Sequence, residues 1–401
     1  MEKVEFVDGT AYISLQMSSD FQKFLPPLVA LTVIIATAFL VIPPQPAPET
    51  TAPQGVEQAA SVGAVDPSPA HVDVAKPVTP PAPEPVPLQE ISASSTASLT
   101  ESTSASVVRI QNPYPFPPKS LLLVNEAARA ALVNIFCSAV GGGALWPISG
   151  SGVIIDPRGI ILTNAHVAQF VLLAQSRQTN LSCIIRSGAP ARALWAAEVL
   201  YISPPWIEEH AADITNENPL GTGEQDFALL RITGSLENIP VVPPLGAIPH
   251  LPFDTRDTIG FPGDYVLAAS YPAELTGSTN LHPVSSITPI QELLTFESAT
   301  TDLLGLGGVI EAQGGSSGGA IVNEWGYLIG IITTTSEGET TAERELRALT
   351  LSYIDRAFAR ETGYSLSTLL DGNIEEFAED FARQHIPALT KTLLDQLPRR
   401  Q

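Results

Sequence analysis

From Lys119 onward, apolar residues come in short runs broken by Gly, Pro and Asn: "GSGVIID", "GIILTNA", "SCIIRSG", "DFALLRI", "YVLAASYP", "GAIVNEW" and "YLIGIITT". Runs of this length, bounded by turn residues, predict strands of an all-β barrel or sandwich. "DPRG" at Asp156 to Gly159 predicts a hairpin turn between two of them. "SLLLVNEAARAALVNIFC" begins as a short helix and ends as a strand entering the folded domain. After about Leu351 the pattern becomes helical. Ser352 and Asp355 form a capping-type pair, and a second helix is predicted over 374–397 with a kink at Pro387. No internal repeat is present.

The N-terminal part follows other rules. "FLPPLVALTVIIATAFLVI", Phe24 to Ile42, carries no charged residue. At helical rise it spans roughly 28 Å, close to the hydrocarbon thickness of a bilayer. A cleaved signal peptide or a buried core helix would also be apolar. The length of the run, its direct continuation into "PPQPAPE" and the long polar segment before it favour an uncleaved anchor. Lys23 precedes the run and the next basic residue after it is Lys76, so the N-terminus is expected in the cytoplasm and the rest outside. Residues 43–118 hold 17 of the 36 prolines, with Ala, Ser, Thr and Glu and little apolar clustering. Such a segment cannot bury enough surface to offset its ordering entropy, and reads as a disordered linker on the order of 50 Å across. The expected organisation is a cytoplasmic tail (1–23), a transmembrane helix (24–42), the linker (43–118), an all-β domain (119–355) and a C-terminal helical extension (356–401).

Composition narrows the function. A formal charge of −22 argues against a nucleic-acid partner, which calls for a basic face. Two cysteines are too few for a disulfide-built scaffold. No zinc-type spacing occurs among the cysteines and the six histidines, so neither a metal nor another cofactor is expected. The acidic "IEEFAEDF" reads as a packing or partner helix, not a membrane-binding one.

Three short segments carry candidate chemistry. His166 follows an apolar strand in "GIILTNAHVA", Asp226 precedes one in "GEQDFALLRI", and Ser316 and Ser317 lie between paired glycines in "GGSSGGAIV". Taken singly, each has a bland reading: a strand-end histidine, a turn carboxylate, a Gly/Ser turn. A serine hydroxyl needs a histidine to take its proton, a carboxylate to orient that histidine, and donors aimed at the developing oxyanion. All these parts are present, in the order His, Asp, Ser.

These motifs, with "ASYP" at Ala269 to Pro272, resemble those of trypsin-like serine proteases of the chymotrypsin fold, and most of all the bacterial HtrA-type branch. The resemblance covers roughly residues 125 to 355. It implies two six-stranded antiparallel β-barrels with the site between them, His166 as general base, Asp226 as its orienting carboxylate, Ser317 as nucleophile, and the Gly315 and Ser317 N–H groups as the oxyanion hole. Polypeptides would be the substrates. Ser316 takes the place of the aspartate that serves zymogen switching in chymotrypsin-type enzymes, so no such switch is expected. The 203–225 stretch between His166 and Asp226 is expected to form a long loop beside the cleft. No PDZ-type domain is recognisable after the barrels, and no oligomeric state is implied.

The resemblance also places Glu311, six residues before Ser317, at the base of the pocket for the side chain preceding the cut bond. An acid there selects Lys or Arg, unless it turns to solvent in a reshaped loop. Thr333, Thr334 and Thr335 are expected to line the substrate groove, with substrate added as an extra strand. Cys137 and Cys183 fall in strands that close against each other in such a barrel, as a disulfide or as two buried thiols. A trypsin-like domain that only binds or scaffolds is the alternative to a protease. Such domains normally lose a member of the triad, and here all three residues stand.

Overall fold

The computed structural model of the chain describes residues 3–7, 10–14, 112–139, 145–216, 222–236, 248–257, 259–277, 280–296, 300–335 and 345–398. The chain divides into two units, Met1–Ser92 and Ala93–Gln401. In the first, β1 (Lys3–Val7) and β2 (Thr10–Ser14) pair as an antiparallel hairpin with Val7 opposite Thr10. The expected membrane helix (24–42) and most of the linker lie outside the described residues. No helix among the described residues is long and apolar enough to cross a membrane.

In the second unit, α1 (Leu121–Ala131) starts at Ser120, whose side chain accepts the Leu123 N–H, and buries Val124, Ala128 and Ala131. It runs directly into β3 (Leu132–Ala139). With β4 (Ile148–Asp156), β5 (Ile160–Thr163), β6 (Leu181–Ser187), β7 (Arg192–Ile202) and β8 (Ala228–Ser235) it forms a closed antiparallel barrel in the order β3-β4-β5-β8-β7-β6. The predicted "DPRG" turn joins β4 to β5, with the Gly159 N–H donating to the Asp156 carbonyl at 2.9 Å. Between β5 and β6 lies α2 (Ala165–Gln175), buried along most of its length. The stretch expected as a loop after β7 is instead partly helical: α3 (Pro204–His210) and a 3-10 turn (Ala211–Thr215). Pro204 occupies the first helical turn, where its missing N–H goes unneeded, and Trp206, Ile207 and Ile214 supply an apolar face to bury.

The second sheet departs from the expected six-stranded barrel. It is an open seven-stranded sheet, β10-β9-β13-β14-β15-β12-β11. Its strands are β9 (Tyr265–Ser270), β10 (Val284–Pro289), β11 (Glu292–Leu294), β12 (Leu303–Gly307), β13 (Ala320–Asn323), β14 (Leu328–Thr335) and β15 (Leu346–Thr350), with a single helical turn, α4 (Ala273–Thr276), after β9. β10 and β11 stand at the two ends of this order, yet only Ile290 and Gln291 separate them in sequence. Ile290, at that corner, exchanges backbone hydrogen bonds with the 263–264 turn, and the Gln291 N–H goes to Gly305 in β12. The two strands are thus halves of one bent segment that pairs first with the β9 side of the sheet and then with β12.

Four C-terminal helices complete the unit: α5 (Leu351–Thr362), α6 (Leu366–Asp371), α7 (Ile374–Gln384) and α8 (Ile386–Gln396). The cap of α5 is Thr350, not Ser352; its hydroxyl accepts the Tyr353 N–H at 3.1 Å. At Pro387 the predicted kink is a full break between α7 and α8, because proline cannot supply the N–H that would continue the ladder. The helices share one apolar core with the barrel, through residues such as Phe358, Phe381 and Leu393 alongside Leu230 and Ile331. At the other end, residues 112–118 dock on the second sheet, inside the stretch that composition assigns to the linker. Tyr114 stacks on Tyr327 at 4.5 Å and donates its hydroxyl to Asp254 at 2.7 Å.

Candidate active site

The strand β5 ends at Thr163, and His166 is the second residue of α2, so its backbone N–H is one of the unpaired donors of a helix start. Asp226 takes that N–H on Oδ1 at 2.9 Å and faces the imidazole Nδ1 with Oδ2 at 2.7 Å. One carboxylate thus caps the helix and orients the ring. With Nδ1 carrying the proton toward Asp226, Nε2 is left as the basic nitrogen. Asp226 is itself held: Thr333 Oγ1 donates to Oδ2 at 3.0 Å, and Asn164 Nδ2 donates to its backbone carbonyl at 2.8 Å. Burial acts most strongly on the His166 ring and disfavours its charged form. Coulombic attraction to Asp226 and the hydrogen bond that Nδ1 donates to it together outweigh burial, and the pKa stands above the ordinary value.

Behind Asp226 the backbone turns sharply, with Gln225 at φ 55°. The Gln225 N–H donates to the Tyr353 hydroxyl at 3.0 Å, so a residue of α5 supports the turn that presents the carboxylate. Neither Tyr353 nor the carboxylate-holding role of Thr333 is legible in the sequence. Both contacts bridge more than a hundred residues and follow no local pattern.

The two serines of "GGSSGG" are placed differently. Ser316 is buried, and its hydroxyl accepts a hydrogen bond from Ser270 at 2.9 Å. Ser317 is partly exposed, and its carbonyl accepts the Ser151 N–H at 2.7 Å. No hydrogen bond joins Ser317 to His166 in the structure; such contacts often tighten only when substrate is bound. Gly318, at φ +83°, is backed against the barrel, where a Cβ would lie 2.1 Å from the Ser151 carbonyl oxygen. Its N–H donates to the Ile332 carbonyl, next to Thr333, so the Ser317 loop and the Asp226 support share one strand, β14. Ser151 ties three elements: its hydroxyl donates to the Gly315 carbonyl at 2.8 Å and accepts from Tyr271 at 2.9 Å, while its carbonyl accepts from Thr163 at 2.7 Å. The N–H groups of Gly315 and Ser317 donate to nothing among the described residues, as an oxyanion hole requires.

Glu311 is fully buried, and both carboxylate oxygens accept from Ser286 Oγ, at 2.9 and 2.6 Å. Burial pushes its pKa up, with Ser286 pulling the other way. The solvent-facing alternative is excluded, and the side chain presents no surface to a cleft in the free protein. Thr333 is nearly buried against Asp226 and does not line an open groove. Thr334 and Thr335 lie in β14, paired with Arg347 and Leu346 of β15. On its other side β14 runs past the end of β13, whose last partner toward the site is Ile331. One backbone edge at 333–335 therefore lies beyond the β13 ladder. Cys137 and Cys183 face each other across β3 and β6 and are joined as a disulfide. No group of His, Cys, Asp and Glu among the described residues could hold a metal ion.

Residues 150–331 match the family model of the trypsin-like peptidase domain. No curated protein matches the chain. Among solved structures, a serine endoprotease from Yersinia pestis is similar at 22% identity and a TM-score of 0.39, covering 66% of this chain and 69% of that one.

Proposed function

We propose, with the trypsin-like peptidase domain over residues 150–331 as premise, that this protein is a membrane-anchored serine endopeptidase acting outside the cytoplasm. His166 Nε2 takes the proton of Ser317 Oγ as that oxygen attacks the peptide carbonyl, and the Asp226 carboxylate stabilises the imidazolium formed. The Gly315 and Ser317 N–H groups receive the oxyanion. Collapse expels the amine, which leaves with the proton from His166. Water, deprotonated by the same nitrogen, then hydrolyses the acyl-enzyme. The substrate backbone adds to the open edge of β14 at 333–335. The extracytoplasmic placement rests on the uncharged run 24–42, and the Cys137–Cys183 disulfide is in keeping with an oxidising compartment.

One observation carries the reading: Asp226 clasps His166 by ring and backbone at once, while of the two adjacent serines Ser316 is buried with its hydroxyl bonded to Ser270 and Ser317 is partly exposed. Labelling with a serine-directed phosphonate tests it. The wild type and Ser316→Ala should label, and Ser317→Ala and His166→Ala should not. Loss of label in Ser316→Ala alone would reverse the serine assignment. An unlabelled wild type would leave a binding or scaffold domain.

A further inference from the structure

In the loop that offers the oxyanion donors, Gly314 to Ser317, the two glycines have no side chain to anchor them, so something else must hold their peptide planes. Two hydrogen bonds do this from outside the loop's own strand. The Gly314 N–H donates to Glu274 Oε2 at 2.8 Å, and the Glu274 N–H donates to the Gly314 carbonyl at 3.1 Å. This is a reciprocal clasp between one residue of α4 and one peptide unit on either side of the Gly314 Cα.

The consequence follows from peptide planarity. In a trans peptide the carbonyl and the following N–H point in opposite directions, and the 314–315 bond is trans. The Glu274 backbone N–H, by holding the Gly314 carbonyl, fixes the Gly315 N–H on the far side, pointing away from α4, while the carboxylate holds the Gly314 N–H of the preceding peptide. The next peptide is fixed in the same manner, because the Gly315 carbonyl accepts the Ser151 hydroxyl at 2.8 Å. Gly315 stands at φ +97°, where an L side chain is strained, and a Cβ there would lie 2.6 Å from the Ala273 nitrogen. A glycine pair has a low barrier to peptide flipping, and a flip at 314–315 would turn a carbonyl where the donor should be. The backbone half of the clasp opposes that flip directly, and the carboxylate half keeps Gly314 seated against α4 so that the backbone bond stays formed.

We propose that Glu274 is a positioning residue that holds the oxyanion peptide in its donor orientation. This rests on the protease reading of the site and deepens it. Glu274 touches neither the reacting atoms nor the triad; it acts through Gly314. Its side chain is exposed, so replacing it opens no cavity in the core.

The test compares wild type, Glu274→Ala and Glu274→Gln on a peptide amide substrate, with a peptidyl trifluoromethyl ketone as a tetrahedral, oxyanion-bearing inhibitor. Removing an oxyanion donor outright lowers kcat by about 10²–10³-fold. Loosening one should lower it by about tenfold in Glu274→Ala, with KM within about twofold and inhibitor affinity falling in parallel with kcat. Glu274→Gln, which keeps an acceptor oxygen, should recover most of the loss. The clasp is refuted if Glu274→Ala retains kcat, if KM carries the loss, if inhibitor affinity stays fixed while kcat falls, or if glutamine fails to restore activity. An inert wild type is a different result: it removes the protease reading itself, and the clasp with it.

Discussion

At the scale of single residues, the balance on His166 makes the pH profile informative. Burial alone would keep the ring neutral well into acid, but Asp226 reverses that and raises the pKa above 6.5. A proton on Nε2 removes the base, so activity is present above the folded-state pKa and lost as the pH falls through it. kcat/KM should therefore show an acid limb whose midpoint lies above 6.5. Asp226→Asn deletes the attraction and presents an amide to Nδ1, which favours the wrong tautomer. It should move the midpoint down and reduce kcat on the order of 10³-fold or more. A midpoint unchanged by that substitution would show that another group sets the limb. The same carboxylate accepts from the His166 backbone on Oδ1 and from Thr333 on Oδ2, so asparagine in that orientation keeps the cap of α2 and loses the bond from Thr333.

At the scale of elements, the disulfide is the covalent seam of the first barrel. Cys137 and Cys183 are register partners of β3 and β6, the pair that closes the cylinder, and stand 46 residues apart in sequence. Loop-closure entropy for a separation of that size amounts to about 4 kcal/mol, and the intact β3–β6 ladder makes the realised loss smaller. A Cys137→Ala/Cys183→Ala double variant should lose about 2–4 kcal/mol in urea unfolding while keeping near-wild-type activity at low denaturant. Mass spectrometry with and without reduction checks the bond directly. The first of these two strands, β3, was legible because its apolar run is largely buried, as are those of β4, β5, β9, β13 and β14, while β6 and β8 show shorter apolar stretches, Cys183 to Ile185 and Ala228 to Leu230. Others left weaker marks. The edge strand β10 reads "VSSITP", and β11 has three residues. The helix α3 hides between prolines and a 3-10 turn, so its apolar spacing never completes a recognisable stripe. The three residues of the proposed triad were legible because each sits beside the end of an apolar strand run. Ser151, Glu274, Tyr353 and the carboxylate-holding role of Thr333 were not, since each acts through a hydrogen bond to a residue distant in sequence.

For the whole molecule, the two ends of the chain should behave in opposite ways when removed. The C-terminal helices look like an appendage by sequence, yet Leu366, Leu369, Ile374, Phe381, Leu389 and Leu393 lie buried in the same core as the first barrel. Burial of each large apolar side chain is worth about 1.5–3 kcal/mol, and a typical domain has only about 5–15 kcal/mol of net stability. Truncation after Gly363 removes all six and leaves their partners facing water, including Tyr201 and Phe358, which stack on or beside Phe381 and Phe377. It also cuts the tie from Arg158 to the Leu370 carbonyl and the ion pair of Arg231 with Glu375. That variant should be recovered only as insoluble or protease-sensitive material, tested by limited proteolysis and phosphonate labelling. Deleting residues 1–111 leaves intact the docked segment that begins at Asn112 and removes the uncharged run 24–42. Its kcat and KM should stay within about twofold of the full chain, because no triad, oxyanion or clasp residue is touched. Fractionation should move it from the membrane pellet to the soluble phase. If the deletion variant still sediments with membranes, the anchor is not the 24–42 run. If it loses activity, the N-terminal segment contributes to the site in a way that the triad geometry does not contain.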